Sequence, residues 1–316
     1  MSQPFRFRRW KPWLGMGLVC LALLLPNRAA FAFDPSPVAE FSSNQVATLE
    51  ALSSAQVVYL GETHDSPADH AAQLEIIQAL VARNGQHRGR PIAIALEMFQ
   101  RPFQPALDDY LAGNIDEQTL LTETEYEQRW GFPWEYYAPI LRLAKDHQLP
   151  LLALNTPTEV THKVARSGLG SLGPEDQRYI PPLSEIHTDN AAYRSYIEAI
   201  FNEIHGDLGS AMSFENFFAA QVLWDETMAD AIATFLQQNP DYQVIVLTGQ
   251  GHVIYGYGIC DRVARRLEDD LTQQIVLLNP DETIQAAPHG IANHFWFSSS
   301  PPDSSKERPI GQNSGS

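Results

Sequence analysis

Five short apolar runs, at residues 56–60, 91–96, 150–154, 242–247 and 274–278, constrain this chain more than any other feature, because each is followed at once by polar or turn residues. Runs this short and this apolar are what strands look like when both faces of a parallel sheet are covered. Between them the apolar spacing turns helical. Ser66 followed by Pro67 reads as an N-cap and a first helical position, with Leu74, Ile77 and Val81 recurring behind it. Helical spacing also runs over 136–147, 190–204, 214–238 and 259–271. The alternation predicts an α/β fold, with a mainly parallel central sheet flanked by helices. The stretch 165–204, with Gly168, Gly170, Gly173, Pro181 and Pro182, breaks the alternation and reads as a helical insertion, a lid or a dimerisation arm.

The residues that leave the strands carry the chemistry. The first run passes into Gly61-Glu62-Thr63-His64-Asp65, the second into Glu97-Met98-Phe99, the third into Asn155-Thr156, and the fourth into Thr248-Gly249-Gln250-Gly251-His252. In an open parallel sheet ligands bind at the carboxyl ends of the strands, where loops and helix N-termini converge. Glu62, His64, Glu97, Asn155 and His252 are therefore expected on one edge. Two histidines and two glutamates can hold a divalent metal or work as a metal-free acid–base set. No H-E-x-x-H motif is present to decide for a metal, and no G-x-S-x-G turn offers a serine nucleophile. A second cluster lies within 214–238, where Gln221, Trp224, Asp225 and Met228 share one helical face and Glu226 adjoins it. A carboxylate on such a face needs partners, so Asp225 is expected either to orient the site histidines or to touch the ligand. Cys260, on an apolar helical stretch, reads as core.

The N-terminus carries a basic stretch (Arg6, Arg8, Arg9, Lys11), an apolar run over 14–25, and Ala30-Phe31-Ala32. This is the pattern of a cleavable export signal over 1–32, and the apolar run is shorter than the roughly 20 residues a membrane-spanning helix needs. Cys20 is followed by more apolar residues, unlike a lipid-accepting cysteine. The expected product is exported to a periplasm or an equivalent lumen, with no stable membrane anchor after cleavage. Removing 1–32 leaves 16 basic against 38 acidic residues, a formal charge of −22, which argues against nucleic acid and anionic lipid as partners. Residues 33–44 read as a flexible lead-in, 45–297 as a single α/β domain and 298–316 as a disordered tail. Aromatic residues crowd 130–137 and recur at Tyr255 and Tyr257, forming either core or a wall for a flat apolar ligand, with a tyrosine or histidine available to bind iron.

Four ordered motifs, spread over roughly residues 45–280, resemble the ChaN-like haem-binding proteins, a family grouped with Tiki-type proteases and erythromycin esterases. They are Tyr59-Leu60-Gly61-Glu62-Thr63-His64-Asp65, Leu96-Glu97-Met98-Phe99, the segment from Gln221 to Ala229, and Gly249-Gln250-Gly251-His252-Val253. Glu62, His64, Glu97, Asp225 and His252 match the superfamily's motif positions. The resemblance implies haem as ligand, a role in haem or iron uptake, and a homodimer holding haem between two copies through a tyrosine. Tyr255 and Tyr257 are the candidates for that tyrosine by their nearness to the last motif. The alternative it implies is a hydrolase of the Tiki or esterase type, with His64 or His252 as base or metal ligand.

Overall fold

The computed structural model describes residues 41–85, 89–205, 213–267, 271–287 and 290–298. The expected signal segment 1–32, most of the lead-in and the tail beyond Ser298 lie outside the described residues. The lead-in ends earlier than its composition suggests, because Ser42 caps α1 (Ser43–Ser54) in a reciprocal capping box with Gln45.

Six parallel strands form one sheet in the order β3-β2-β4-β1-β5-β6. They are β1 (Val57–Glu62), β2 (Ile92–Gln100), β3 (Leu151–Asn155), β4 (Gln243–Gly249), β5 (Gln273–Leu278) and β6 (His294–Trp296). The first five fall on the five apolar runs. Strand β6 is three residues long and begins with a histidine, so it has no apolar signature of its own and forms only by pairing with β5. Strand β4, fourth in the chain, fills the position between β1 and β2. The carboxyl ends of β2, β4 and β1 are thereby adjacent.

Helices cover both faces. Alternate residues of β1 point to opposite sides: Val58 and Leu60 pack with α2 (Pro67–Gly85), α3 (Gln104–Ala112) and α6 (Trp134–His147), between which run the short α4 (Glu117–Glu123) and α5 (Tyr126–Arg129). Val57 and Tyr59 pack instead with α9 (Phe214–Gln238) and α10 (Ile259–Arg266). Helix α9 matches its expected span, whereas α10 stops well before residue 271 because Leu267 turns extended. A short helix α11 (Glu282–Gln285) precedes β6.

The expected insertion follows α7 (Thr158–Ser167) as three single 3-10 turns and then α8 (Ala191–His205). It is packed onto α9, with Tyr193 and Ile197 buried against a cluster that includes Phe218 and Val222. A charged clasp reinforces the contact. Glu226, fully buried, accepts from the backbone N–H of His187 at 3.0 Å and meets Arg265 at 2.6 Å and Arg266 at 2.7 Å. Glu226 is thus turned toward the arginines of α10 and away from the strand-end cluster. Among the described residues no helix is long and apolar enough to cross a membrane.

Candidate functional site

The alternation of β1 aims Glu62 toward α2 and α6, and there its carboxylate is saturated. Oε1 accepts from His64 Nδ1 at 2.8 Å and from the Tyr137 hydroxyl at 2.6 Å, and Oε2 accepts from Gln73 Nε2 at 2.5 Å. Because a carboxylate can only accept, Nδ1 of His64 carries the proton that joins them, and Nε2, on the side of Gly249, is the nitrogen that this bond leaves free. The His64 ring lies edge-on to Trp130 at 4.8 Å and tilted to Phe132 at 5.1 Å, with 29% of its side chain exposed. Burial alone would weaken this base, but the hydrogen bond to Glu62 and the charge of Glu97 outweigh it, so its pKa is raised.

Glu97 lies within β2, just past the last pair that β2 makes with β4 (Leu96 with Leu247), and its side chain crosses to the end of β4. Its Oε2 accepts from Thr248 Oγ1 and from the Gly249 backbone N–H, both at 2.7 Å, and its Oε1 lies 3.4 Å from His252 Nε2. The other nitrogen of His252 donates to Asp225 Oδ1 at 2.7 Å, and Asp225 Oδ2 accepts from the Tyr193 hydroxyl at 2.6 Å. Burial opposes charge on both Glu97 and His252, yet each favours the charged form of the other. Glu97 is consequently lowered and His252 raised, the latter with Asp225 adding to the effect. Burial first, and then the charge of Asp225, pushes the Tyr193 phenol well up.

Two glycines let these groups approach. A Cβ on Gly249 would meet His64 Cε1 and Nε2 at 2.9 Å, so His64 packs directly on the β4 backbone beside Glu97. A Cβ on Gly258 would stand 2.1 Å from the His252 carbonyl oxygen and 3.1 Å from Asp225 Oδ1.

Glu62, His64, Glu97, Asp225 and His252 are therefore brought together at one sheet edge, as two carboxylate-bound imidazoles on either side of Glu97 and Gly249. Asn155 is close but differently employed: its amide donates to the Glu97 carbonyl at 2.9 Å and ties β3 to β2. Gln221 lies 3.2 Å from His252 Nδ1 and Trp224 is edge-on to the same ring, while Met228 belongs to the core. Tyr255 and Tyr257 stand apart from the hydrogen-bonded cluster. They stack on each other at 5.3 Å, Tyr255 edge-on to Tyr196 and Tyr257 tilted to Tyr193. Among the described residues no three His, Cys, Asp or Glu side chains gather in a metal-holding geometry. Sequence reasoning missed His70, Gln73, Tyr137 and Tyr193. The first two were open to detection as a polar pair at i, i+3 in the helix that Pro67 starts, but the tyrosines gave no signal beyond aromatic content.

Residues 48–263 match the family described as haem-binding uptake, Tiki superfamily, ChaN. A structure of ChaN of Campylobacter jejuni, whose subject is cofacial haem binding, superposes with a TM-score of 0.55 at 20% identity, over 76% of this chain and 88% of that one. At that identity the likeness establishes the fold. An erythromycin esterase in its open conformation aligns with a TM-score of 0.45 at 15% identity, over 76% of this chain and 74% of that one. Among curated proteins, the chloroplastic protein RETICULATA-RELATED 5 of Arabidopsis thaliana is 27% identical over 264 residues, which span 80% of this chain and 35% of that protein.

Proposed function

Because the chain belongs to the ChaN-type haem-binding family of the Tiki superfamily, we propose that it binds haem on the face formed by Tyr255 and Tyr257 and serves outside the cytoplasm in haem or iron handling. The observation that carries this reading is the backbone of Tyr255. Its φ is +56°, a left-handed conformation that costs a bulky residue about 1–2 kcal/mol. Strain of this kind persists where surrounding structure imposes it and clusters at ligand sites. Here it holds a half-buried phenol stacked on Tyr257, on the loop that also delivers His252.

The donors fit the ligand. Ferric haem asks for flat apolar surface and an oxygen ligand, and the Tyr255–Tyr257 stack with Tyr196 edge-on offers aromatic surface and phenol oxygens that bind iron on loss of their proton. Export rests on the basic, apolar and small-x-small order of 1–32, and pairing of two copies across the tyrosine face accompanies the haem reading. A haem titration of the chain lacking 1–32, followed at the Soret band with size-exclusion chromatography of the same samples, tests it. A saturable band at a fixed ratio is expected, with affinity lowered about tenfold or more in Tyr255→Phe or Tyr257→Phe. No saturable band in the parent chain removes the proposal.

A second reading, hydrolysis, draws on the Glu62–His64 pair, in which the carboxylate orients the imidazole through Nδ1 and raises its basicity. It expects an esterase or peptidase activity that Glu62→Gln and His252→Ala each abolish without unfolding the chain.

A further inference from the structure

His70 occupies the first turn of α2 and is 3% exposed at its side chain. Its ring stacks on Tyr136 at 4.7 Å and meets Tyr137 edge-on at 4.6 Å. Both nitrogens face polar atoms: Nε2 is 3.0 Å from the backbone carbonyl oxygen of His64, and Nδ1 is 3.2 Å from Gln73 Oε1. Glu62 Oε2 lies 3.7 Å from the same Nδ1.

The hydrogen bonds close a ring whose directions are fixed by one group. The Glu62 carboxylate can only accept, so the Gln73 amide turns its nitrogen to Glu62 and its oxygen to His70. Nδ1 of His70 must then donate. The carbonyl of His64 can also only accept, so Nε2 must donate as well. We infer that His70 is a buried imidazolium that positions His64, holding its backbone carbonyl on one side and neutralising Glu62 on the other.

The groups facing His70 are Glu62 from β1, His64 from the loop after it, Tyr136 and Tyr137 from α6, and Gln73 on α2, with Asp69 next to it in the chain. Asp69 completes the clamp, since its Oδ2 accepts from the Thr63 N–H at 2.8 Å and its Oδ1 from Asn279 Nδ2 at 3.0 Å. Glu62 is thus shared between two imidazoles, and the charge on His70 limits how strongly Glu62 draws a proton onto His64. The assignment follows from hydrogen-bond complementarity and does not depend on haem binding.

Nitrogen-15 NMR of the full chain with labelled histidine reads it directly. Both ring nitrogens of His70 are expected to be protonated at neutral pH; one unprotonated nitrogen there overturns the inference. Gln73→Leu removes the acceptor for Nδ1 and should expose an unprotonated nitrogen in its spectrum. His70→Gln keeps an N–H donor for the His64 carbonyl but no charge, and the His64 titration midpoint should rise by about half a unit or more. A folded His70→Gln protein with an unchanged His64 midpoint would show that His70 is structural only.

Discussion

His252 and Asp225 are 27 residues apart in the chain and 2.7 Å apart in space, with the imidazole Nδ1 donating to a carboxylate that is fully buried. The pair joins the loop after β4 to the middle of α9 and sets the charge at the centre of the strand-end cluster. Asp225→Asn should therefore lower the basicity of His252 and cost about 3–5 kcal/mol, because a buried charge loses its partner. A histidine NMR titration together with a urea denaturation midpoint checks both effects.

The same cluster makes stability depend on pH with a definite sign. His252 is raised above its ordinary value of 6.5, so its contribution is complete below that value and declines as pH rises above it. Glu97 is lowered from its ordinary 4.5, so its contribution is present above that value and lost as pH falls through the range below. Denaturant midpoints measured across pH should therefore show the site's contribution greatest between these two ordinary values. In His252→Gln the decline on the alkaline side should flatten.

Gly249→Ala tests the close approach of His64. The backbone there, at φ −59° and ψ 139°, accepts any residue, so the effect is steric and falls on the His64 ring. Overpacking of this order costs about 1–3 kcal/mol. The His64 titration midpoint, read by histidine NMR, should shift.

Tyr255→Asn separates strain from function. Asparagine tolerates the left-handed backbone better than tyrosine does, so the chain should fold with a melting temperature close to that of the parent. The haem-dependent Soret band should be lost. Retention of the band would move the ligand assignment away from Tyr255.

Glu226→Gln loosens the clasp that fastens the insertion to α9 and α10. A neutral side chain facing the buried Arg262 and the partly buried Arg266 should cost about 3–5 kcal/mol. Hydrogen exchange should quicken first at His187 and along the start of α8, because the His187 N–H loses its charged acceptor.

The legible part of the fold was the part governed by local pattern. Five strands and α9 could be read because burial on both faces, or a long apolar face, is written into consecutive residues. Strand β6 was hidden, since three residues with a leading histidine are extended only because β5 offers an edge. The capping box at Ser42 and the early end of α10 were lost among polar composition. At the site, Glu62, His64, Glu97 and His252 stood out because each comes within a few residues of the end of an apolar run, although the structure places Glu62 and Glu97 still within β1 and β2. Asp225 was visible as a carboxylate on an apolar helix face, but its sequence neighbour Glu226 has the same chemistry and opposite employment.

The sequence by itself determined that the strand ends would meet at one edge, because parallel strands joined by helices must all finish on the same side of the sheet. What only the tertiary structure decided is which groups pair across that edge. Side-chain partnership over tens or hundreds of residues, such as Tyr137 with Glu62 or Tyr193 with Asp225, follows from how α6 and α8 pack and leaves no periodic trace in the chain. The positive φ of Tyr255 and the two-sided hydrogen bonding of His70 belong to the same class, since both are imposed by contacts and not by the residues that bear them.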